Sequence, residues 1–239
     1  KSHSFGFRGR SEESIFSLCD QKPALSNLSA YDLGDVSLQR ATIDHWLAAA
    51  EAVIRNLPPN VIPFMIGGDH TLSLAAIRAI RKKRDRGFLV VQLDSHLDLQ
   101  IWGEFAANQP AFLNPPIHSN FMSHVRAEFN DVELFQFGVR NYQSIDASNS
   151  AAVSAYLKSV GRRISDLDLL FADPEQIANQ LGTNLDIYLS IDVDALNSQH
   201  VSQTGFPAAV GVDFSKILRF VKKLLINNRI IGVDIMEFG

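Results

Sequence analysis

Three short clusters carry aspartate and histidine at close spacing: Gly67-Gly68-Asp69-His70, Asp94-Ser95-His96-Leu97-Asp98 and Asp192-Val193-Asp194. In the second, side chains alternate with period two along an extended backbone, so Asp94, His96 and Asp98 project to one side. The same period pairs Asp192 with Asp194. Brought together, Asp94, Asp98, Asp192 and Asp194 would crowd four negative charges beside the imidazoles of His70 and His96. Repulsion and desolvation disfavour such a set unless cations balance it. Two divalent cations do so, and the expectation is a two-metal site. Its ions would lie roughly 3.5 to 4 Å apart, bridged by carboxylate and by a water whose pKa falls toward neutrality. Carboxylates with some imidazole and no thiolate suit manganese better than zinc. Any one of these positions alone would read better as a cap or turn, as Asp69 or Thr71 would before a helix. The agreement of three clusters carries the reading. Gly67-Gly68 fits neither the dinucleotide nor the Walker spacing, so no nucleotide is expected.

Each cluster follows an apolar run. The periodicity predicts strands at Val61–Ile66, Phe88–Leu93, Val132–Phe137, Leu185–Ile191 and Arg229–Ile235. Helices are expected at Ile43–Leu57, Thr71–Arg84, around Ala151–Val160, Pro174–Leu181 and Phe214–Leu225. Near-continuous apolar strands separated by helices require a sheet covered on both faces. The fold expected is α/β, a three-layer αβα sandwich with a mainly parallel sheet, in one domain spanning residues 1–239. In such a sheet ligands bind beyond the carboxyl ends of the strands, where all three clusters fall. The turn-rich stretch Ile101–Pro116 is too long for a passive connection and is read as an active-site loop.

With 239 residues, a net charge of -4 and 46% hydrophobic content, the chain is long enough to bury a large core. Cys19 is the only cysteine, which excludes an intrachain disulfide, and no apolar run reaches the roughly 18 residues of a membrane span. A cytoplasmic location, without membrane association, is the default expectation. The near-neutral balance argues against nucleic-acid binding. The basic group Arg78, Arg81, Lys82, Lys83, Arg84 and Arg86 reads as the solvated end of a helix.

Gly67-Gly68-Asp69-His70-Thr71, Asp94-Ser95-His96-Leu97-Asp98 and Ser190-Ile191-Asp192-Val193-Asp194 together resemble the signature motifs of the ureohydrolases, the arginase, agmatinase and formimidoylglutamase family. Asp32-Leu33-Gly34-Asp35-Val36 and Gly232-Val233-Asp234-Ile235-Met236-Glu237 resemble two further family segments. The resemblance implies the arginase-like sandwich and two manganese ions. His70, Asp94, Asp98 and Asp192 would hold one ion, and His96, Asp94, Asp192 and Asp194 the other, with Asp94 and Asp192 bridging. It further implies that Asp98 orients the attacking hydroxide and that Glu237 orients the amidino group of a small-molecule substrate. His118, with His124 as the alternative, would serve proton transfer. A homo-oligomer is left open.

Substrate features are mixed. Gly205-Phe206-Pro207-Ala208-Ala209-Val210-Gly211-Val212 is similar to a formimidoylglutamase stretch, as is His96-Leu97-Asp98-Leu99-Gln100, apart from Gln100 in place of an arginine. The resemblance leans toward hydrolysis of formimidoylglutamate to glutamate and formamide, as in histidine degradation. Agmatine or arginine hydrolysis, releasing urea, is the alternative. A single-zinc deacetylase of related fold would leave His70 and Asp194 superfluous. A catalytically silent member is allowed by Asn197, Ser198 and Ser119 but opposed by the complete ligand set.

Overall fold

The computed structural model describes residues 15–17, 21–24, 29–36, 42–99, 115–140, 147–201, 204–205 and 211–238. Most of the stretch 101–116, Gln100 and the run 206–210 lie outside them. The chain divides into two compact units, Lys1–Gln39 and Arg40–Gly239. In the first, β1 (Ile15–Ser17) and β2 (Lys22–Ala24) pair antiparallel. Asp32 Oδ1 accepts the Gly34 N–H at 2.8 Å, making a local turn of the Asp32–Gly34 stretch, and Gly34 takes the left-handed φ of 75° that glycine tolerates.

In the second unit, six strands form one parallel sheet: β3 (Phe64–Ile66), β4 (Leu89–Leu93), β5 (Glu133–Val139), β6 (Arg162–Ser165), β7 (Asp186–Asp192) and β8 (Arg229–Met236). Their spatial order is β3-β8-β7-β4-β5-β6. The described helices are α1 (Ile43–Arg55), α2 (Leu72–Lys82), α3 (Phe121–Glu128), α4 (Ser150–Val160), α5 (Asp166–Phe171), α6 (Pro174–Leu181) and α7 (Phe214–Ile226). All five residues of β4 are buried, as a strand covered on both faces demands. Alternate strand residues feed two separate cores. Val90, Leu134, Tyr188 and Ile231 pack with α1 to α4 on one face. Leu89, Val91, Phe137 and Leu189 pack with α5, α6 and α7 on the other, where the Phe137 and Phe220 rings stack at 4.3 Å. The architecture is the expected αβα sandwich.

The winding explains where a site can form. The chain leaves β4 toward α3 on one face and leaves the neighbouring β7 toward α7 on the opposite face. A crevice therefore opens between the carboxyl ends of β4 and β7.

Several elements differ from the expected ones. The first sheet strand begins at Phe64, immediately after Pro63, which has no N–H to give a ladder. The edge strand β6 and the short helices α3 and α5 were not expected. At the sheet edge Arg162-Arg163-Ile164-Ser165 is only partly buried and needs no apolar run. The basic group is not a merely solvated helix end. Arg78 binds Glu128, Arg81 binds Asp131 and Lys82 binds Glu51, while Arg84 and Arg86 converge on the buried Asp186. Among the described residues, no helix is long and apolar enough to cross a membrane.

Candidate metal centre

The loop after β3 carries His70 to the buried side of the crevice, where its ring packs on Phe121 of α3 with centroids 4.6 Å apart. Its Nδ1 lies 3.4 Å from Asp94 Oδ2, 3.4 Å from Asp98 Oδ2 and 3.2 Å from Asp192 Oδ2. That nitrogen is fully buried and makes no well-aligned hydrogen bond. A lone nitrogen ringed by three carboxylate oxygens is the donor set of a hard-to-borderline divalent cation. The ligand atoms of His70, Asp94 and Asp192 all lie within 4.8 Å of one another, and we call this set, with Asp98, the inner group.

Asp94 also belongs to a second set, the outer group, with His96 and Asp194. His96 Nδ1 lies 2.9 Å from Asp194 Oδ2 and 3.5 Å from Asp94 Oδ1, and its ring is about one third exposed. The backbone folds around these carboxylates. Asp94 Oδ1 accepts the His96 N–H at 2.6 Å, and Asp192 Oδ1 accepts the Asp194 N–H at 2.8 Å. Ser95 donates to Asp194 through both its N–H, at 3.1 Å, and its hydroxyl, at 2.8 Å. By contrast, Asp69 serves its own turn: its Oδ1 accepts the Thr71 N–H at 2.8 Å, and it stands outside both groups.

Electrostatics at the cluster follow from crowding. Burial alone would depress the His70 imidazole, but its Asp192 contact and the Asp94 and Asp192 charges lift it to about 9. Contacts with Asp194 and Asp94 lift His96 to about 10 against burial. Burial first, and then the Asp94 charge, push Asp192 up to about 7 and hold Asp98 well above the usual carboxylate range. Burial pushes Asp194 the other way from its outcome, for His96 and Ser95 hold it low. The cluster draws protons to offset its carboxylates, the same task that divalent cations perform. The residues fit a pair of such ions.

Of the residues expected from the sequence, the six metal candidates thus converge. Glu237, beyond β8, reaches the same edge: its Oε1 accepts the His70 N–H at 2.8 Å, and its own N–H donates to the Gly68 carbonyl at 2.6 Å. Asp98 and Glu237 hold φ of 50° and 63°, a left-handed conformation uncommon for non-glycine residues and one that clusters at functional sites. His118 is exposed in the turn before α3 and lies outside both ligand groups, and His124 is buried within α3. The Met122 N–H donates to the Asp98 carbonyl at 3.1 Å, tying the start of α3 to the ligand loop.

Four polar residues under the cluster were not singled out from the sequence: Gln92, Gln136, Ser190 and Asp234, each at most 1% exposed. A signal was present, because each interrupts an otherwise apolar strand, and polar groups are buried only when satisfied.

The sequence matches the Arginase family over residues 8–239. It is 25% identical over 218 residues to an agmatinase of Pyrococcus horikoshii, covering 89% of this chain and 68% of that protein. It is 24% identical over 217 residues to a formimidoylglutamase of Bacillus subtilis, covering 87% and 64%. The chain spans about two thirds of the length of these relatives. The crystal structure of formimidoylglutamase from Bacillus subtilis superposes with a TM-score of 0.72 at 20% identity, covering 95% of this chain and 69% of that one. The fold is therefore arginase-like. Because the match runs through all three clusters and the strands beneath them, this chain belongs to the arginase family.

Proposed function

We propose that the protein is a binuclear manganese amidinohydrolase. The observation that carries this reading is the sharing of Asp94 between two ligand groups at one sheet edge. His70, Asp94, Asp98 and Asp192 would hold the inner ion, and Asp94, His96, Asp192 and Asp194 the outer one, with Asp94 and Asp192 bridging. Once bound, the ions would supply a water activated at neutral pH and offset the negative charge that develops at the reacting carbon.

The chain's own residues do the rest. Asp98 orients the attacking oxygen. Glu237, anchored through Oε1 on the His70 N–H, offers Oε2 to the cationic amidino nitrogens as a charge-assisted contact that sets the trigonal carbon in line. His118, in the turn joined to α3, protonates the leaving nitrogen, with His124 as the alternative donor.

The preferred substrate is formimidoylglutamate, on the strength of the Gly205–Val212 stretch and the His96–Leu99 run. Agmatine is the second reading, favoured by the agmatinase relative, which is 25% identical against 24% for the formimidoylglutamase. The test is direct. Manganese-loaded protein is incubated separately with formimidoylglutamate, agmatine and arginine, and formamide and urea are measured. Formamide from the first compound alone supports the preferred reading, and urea from either of the others overturns it.

A further inference from the structure

The buried polar residues beneath the cluster occupy a single row across the sheet. Strand register pairs Gln136 on β5 with Gln92 on β4, Gln92 with Ser190 on β7, and Ser190 with Asp234 on β8. Because side chains alternate along each strand, Gln92 shares a face with Asp94 two residues on, and Ser190 shares one with Asp192. The row forms a floor immediately below the ligands.

Its hydrogen bonds run outward to the inner group from both ends. Gln136 Nε2 donates to Gln92 Oε1 at 2.9 Å and to the Leu97 carbonyl at 2.6 Å. With its carbonyl oxygen so engaged, the Gln92 amide must turn its nitrogen toward the site, where it donates to Asp94 Oδ2 at 2.6 Å and Asp98 Oδ2 at 2.7 Å. At the other end Ser190 Oγ donates to Asp234 Oδ1 at 2.7 Å, and Tyr188 donates to Asp234 Oδ2. A serine hydroxyl has one proton, so Ser190 accepts from His70 Nε2, 2.9 Å away. A proton fixed on Nε2 leaves the Nδ1 lone pair for an ion. None of these bonds reaches the side chain of His96 or of Asp194, and Ser95 contacts both of those side chains.

We infer that the register row Gln136, Gln92, Ser190 and Asp234 positions the ligands of the inner ion and not the side chains particular to the outer one, with Gln136 acting through Gln92 without touching a ligand. The inference rests on the binuclear reading above. It makes the two ion positions unequal: the ligands of the inner one are preorganised by a buried polar row, whereas the side chains particular to the outer one, the partly exposed His96 and Asp194, are braced by Ser95.

The test is a manganese titration of the whole protein, following free ion by electron paramagnetic resonance, for wild type, Gln136→Met, Ser190→Ala and Ser95→Ala. Gln136→Met and Ser190→Ala are each expected to keep one ion at wild-type affinity and to bind the other about 10- to 100-fold more weakly, the range found for residues that orient metal ligands. Ser95→Ala is expected to weaken the ion that those variants keep, so that Ser95→Ala combined with Ser190→Ala weakens both. A merely structural role would lower the melting temperature and leave the affinities of the folded protein unchanged. Wild-type affinities for both ions in Ser190→Ala, or equal losses at both, overturn the inference. Circular dichroism checks folding, and if Gln136→Met does not fold, Ser190→Ala decides. A wild-type protein holding at most one ion overturns the binuclear reading instead.

Discussion

Glu237 Oε1 accepts the backbone N–H of His70 at 2.8 Å across 167 residues of sequence, joining the loop after β3 to the end of β8. The two strands are parallel neighbours, so the loops that leave them meet at the same edge. One carboxylate thereby ties the backbone of a ligand loop to the end of β8.

Replacing Glu237 by glutamine keeps an oxygen that can accept the His70 N–H but removes the charge offered to an amidinium. Glu237→Gln is expected to bind both manganese ions as wild type does while kcat/KM falls by about 10- to 100-fold, the worth of one charge-assisted hydrogen bond. Steady-state kinetics alongside elemental analysis checks this, and near wild-type turnover with full metal content rejects the orienting role.

Asp94 contributes to both ligand groups, whereas His70 contributes to one. Asp94→Ala is therefore expected to leave the protein with essentially no tightly bound manganese, and His70→Ala to leave about one ion per chain. Inductively coupled plasma analysis after gel filtration measures the content. Equal losses in the two variants would show that Asp94 does not bridge.

At the opposite end of β7, Asp186 is gripped by Arg84, Arg86 and Arg229. Burial alone would raise its pKa, but the Arg229 and Arg86 hydrogen bonds and the Arg84 charge hold it below the usual carboxylate value. A depressed folded-state pKa stabilises the protein above the unfolded value, and that contribution is lost as pH falls through the folded one. Asp186→Asn is expected to lower the melting temperature at pH 7 by roughly 5 °C, taking about 2 kcal/mol for the lost charged contacts. The gap should close as the pH drops below about 4. Calorimetry from pH 7 down to pH 3 gives the curve, and a gap that stays constant over this range would contradict the assignment.

Gly232 lies on β8 where an added Cβ would come within 2.6 Å of Ile80 Cδ1 and 2.7 Å of Tyr188 Cδ2. Both neighbours are buried, and the Tyr188 hydroxyl is bound to Asp234, so neither ring nor strand yields freely. Gly232→Ala is expected to cost about 1 to 3 kcal/mol, the usual penalty for overpacking a filled core. Urea unfolding measures it, and a change within 0.5 kcal/mol, on the order of an ordinary surface substitution, would mean that the sheet relaxes there.

The sequence alone determined what is local. Apolar runs and helical periodicity marked most of the sheet and the longer helices, because burial on both faces leaves its pattern in consecutive residues. The spacing of Asp94, His96 and Asp98, and of Asp192 and Asp194, marked the candidate ligands, but no strand period places them: Asp94 to Asp98 lie beyond the end of β4 and Asp194 in a tight turn after β7, so the bent backbone sends Asp98 to the inner group and His96 and Asp194 to the outer one. Elements that depend on their neighbours were less legible. The edge strand β6 and the helices α3 and α5 are short and mixed in composition, and they owe their existence to packing rather than to an internal pattern. Only the tertiary structure decided that Gln136, Gln92, Ser190 and Asp234 lie in one row, since strand order and register set which residues of β5, β4, β7 and β8 are level. It alone brought His70 to within 3.4 Å of Asp94 and Asp98, and Glu237 onto the His70 backbone. Such contacts span up to 167 residues, and no spacing within a motif encodes a distance between strands that the chain joins only by folding.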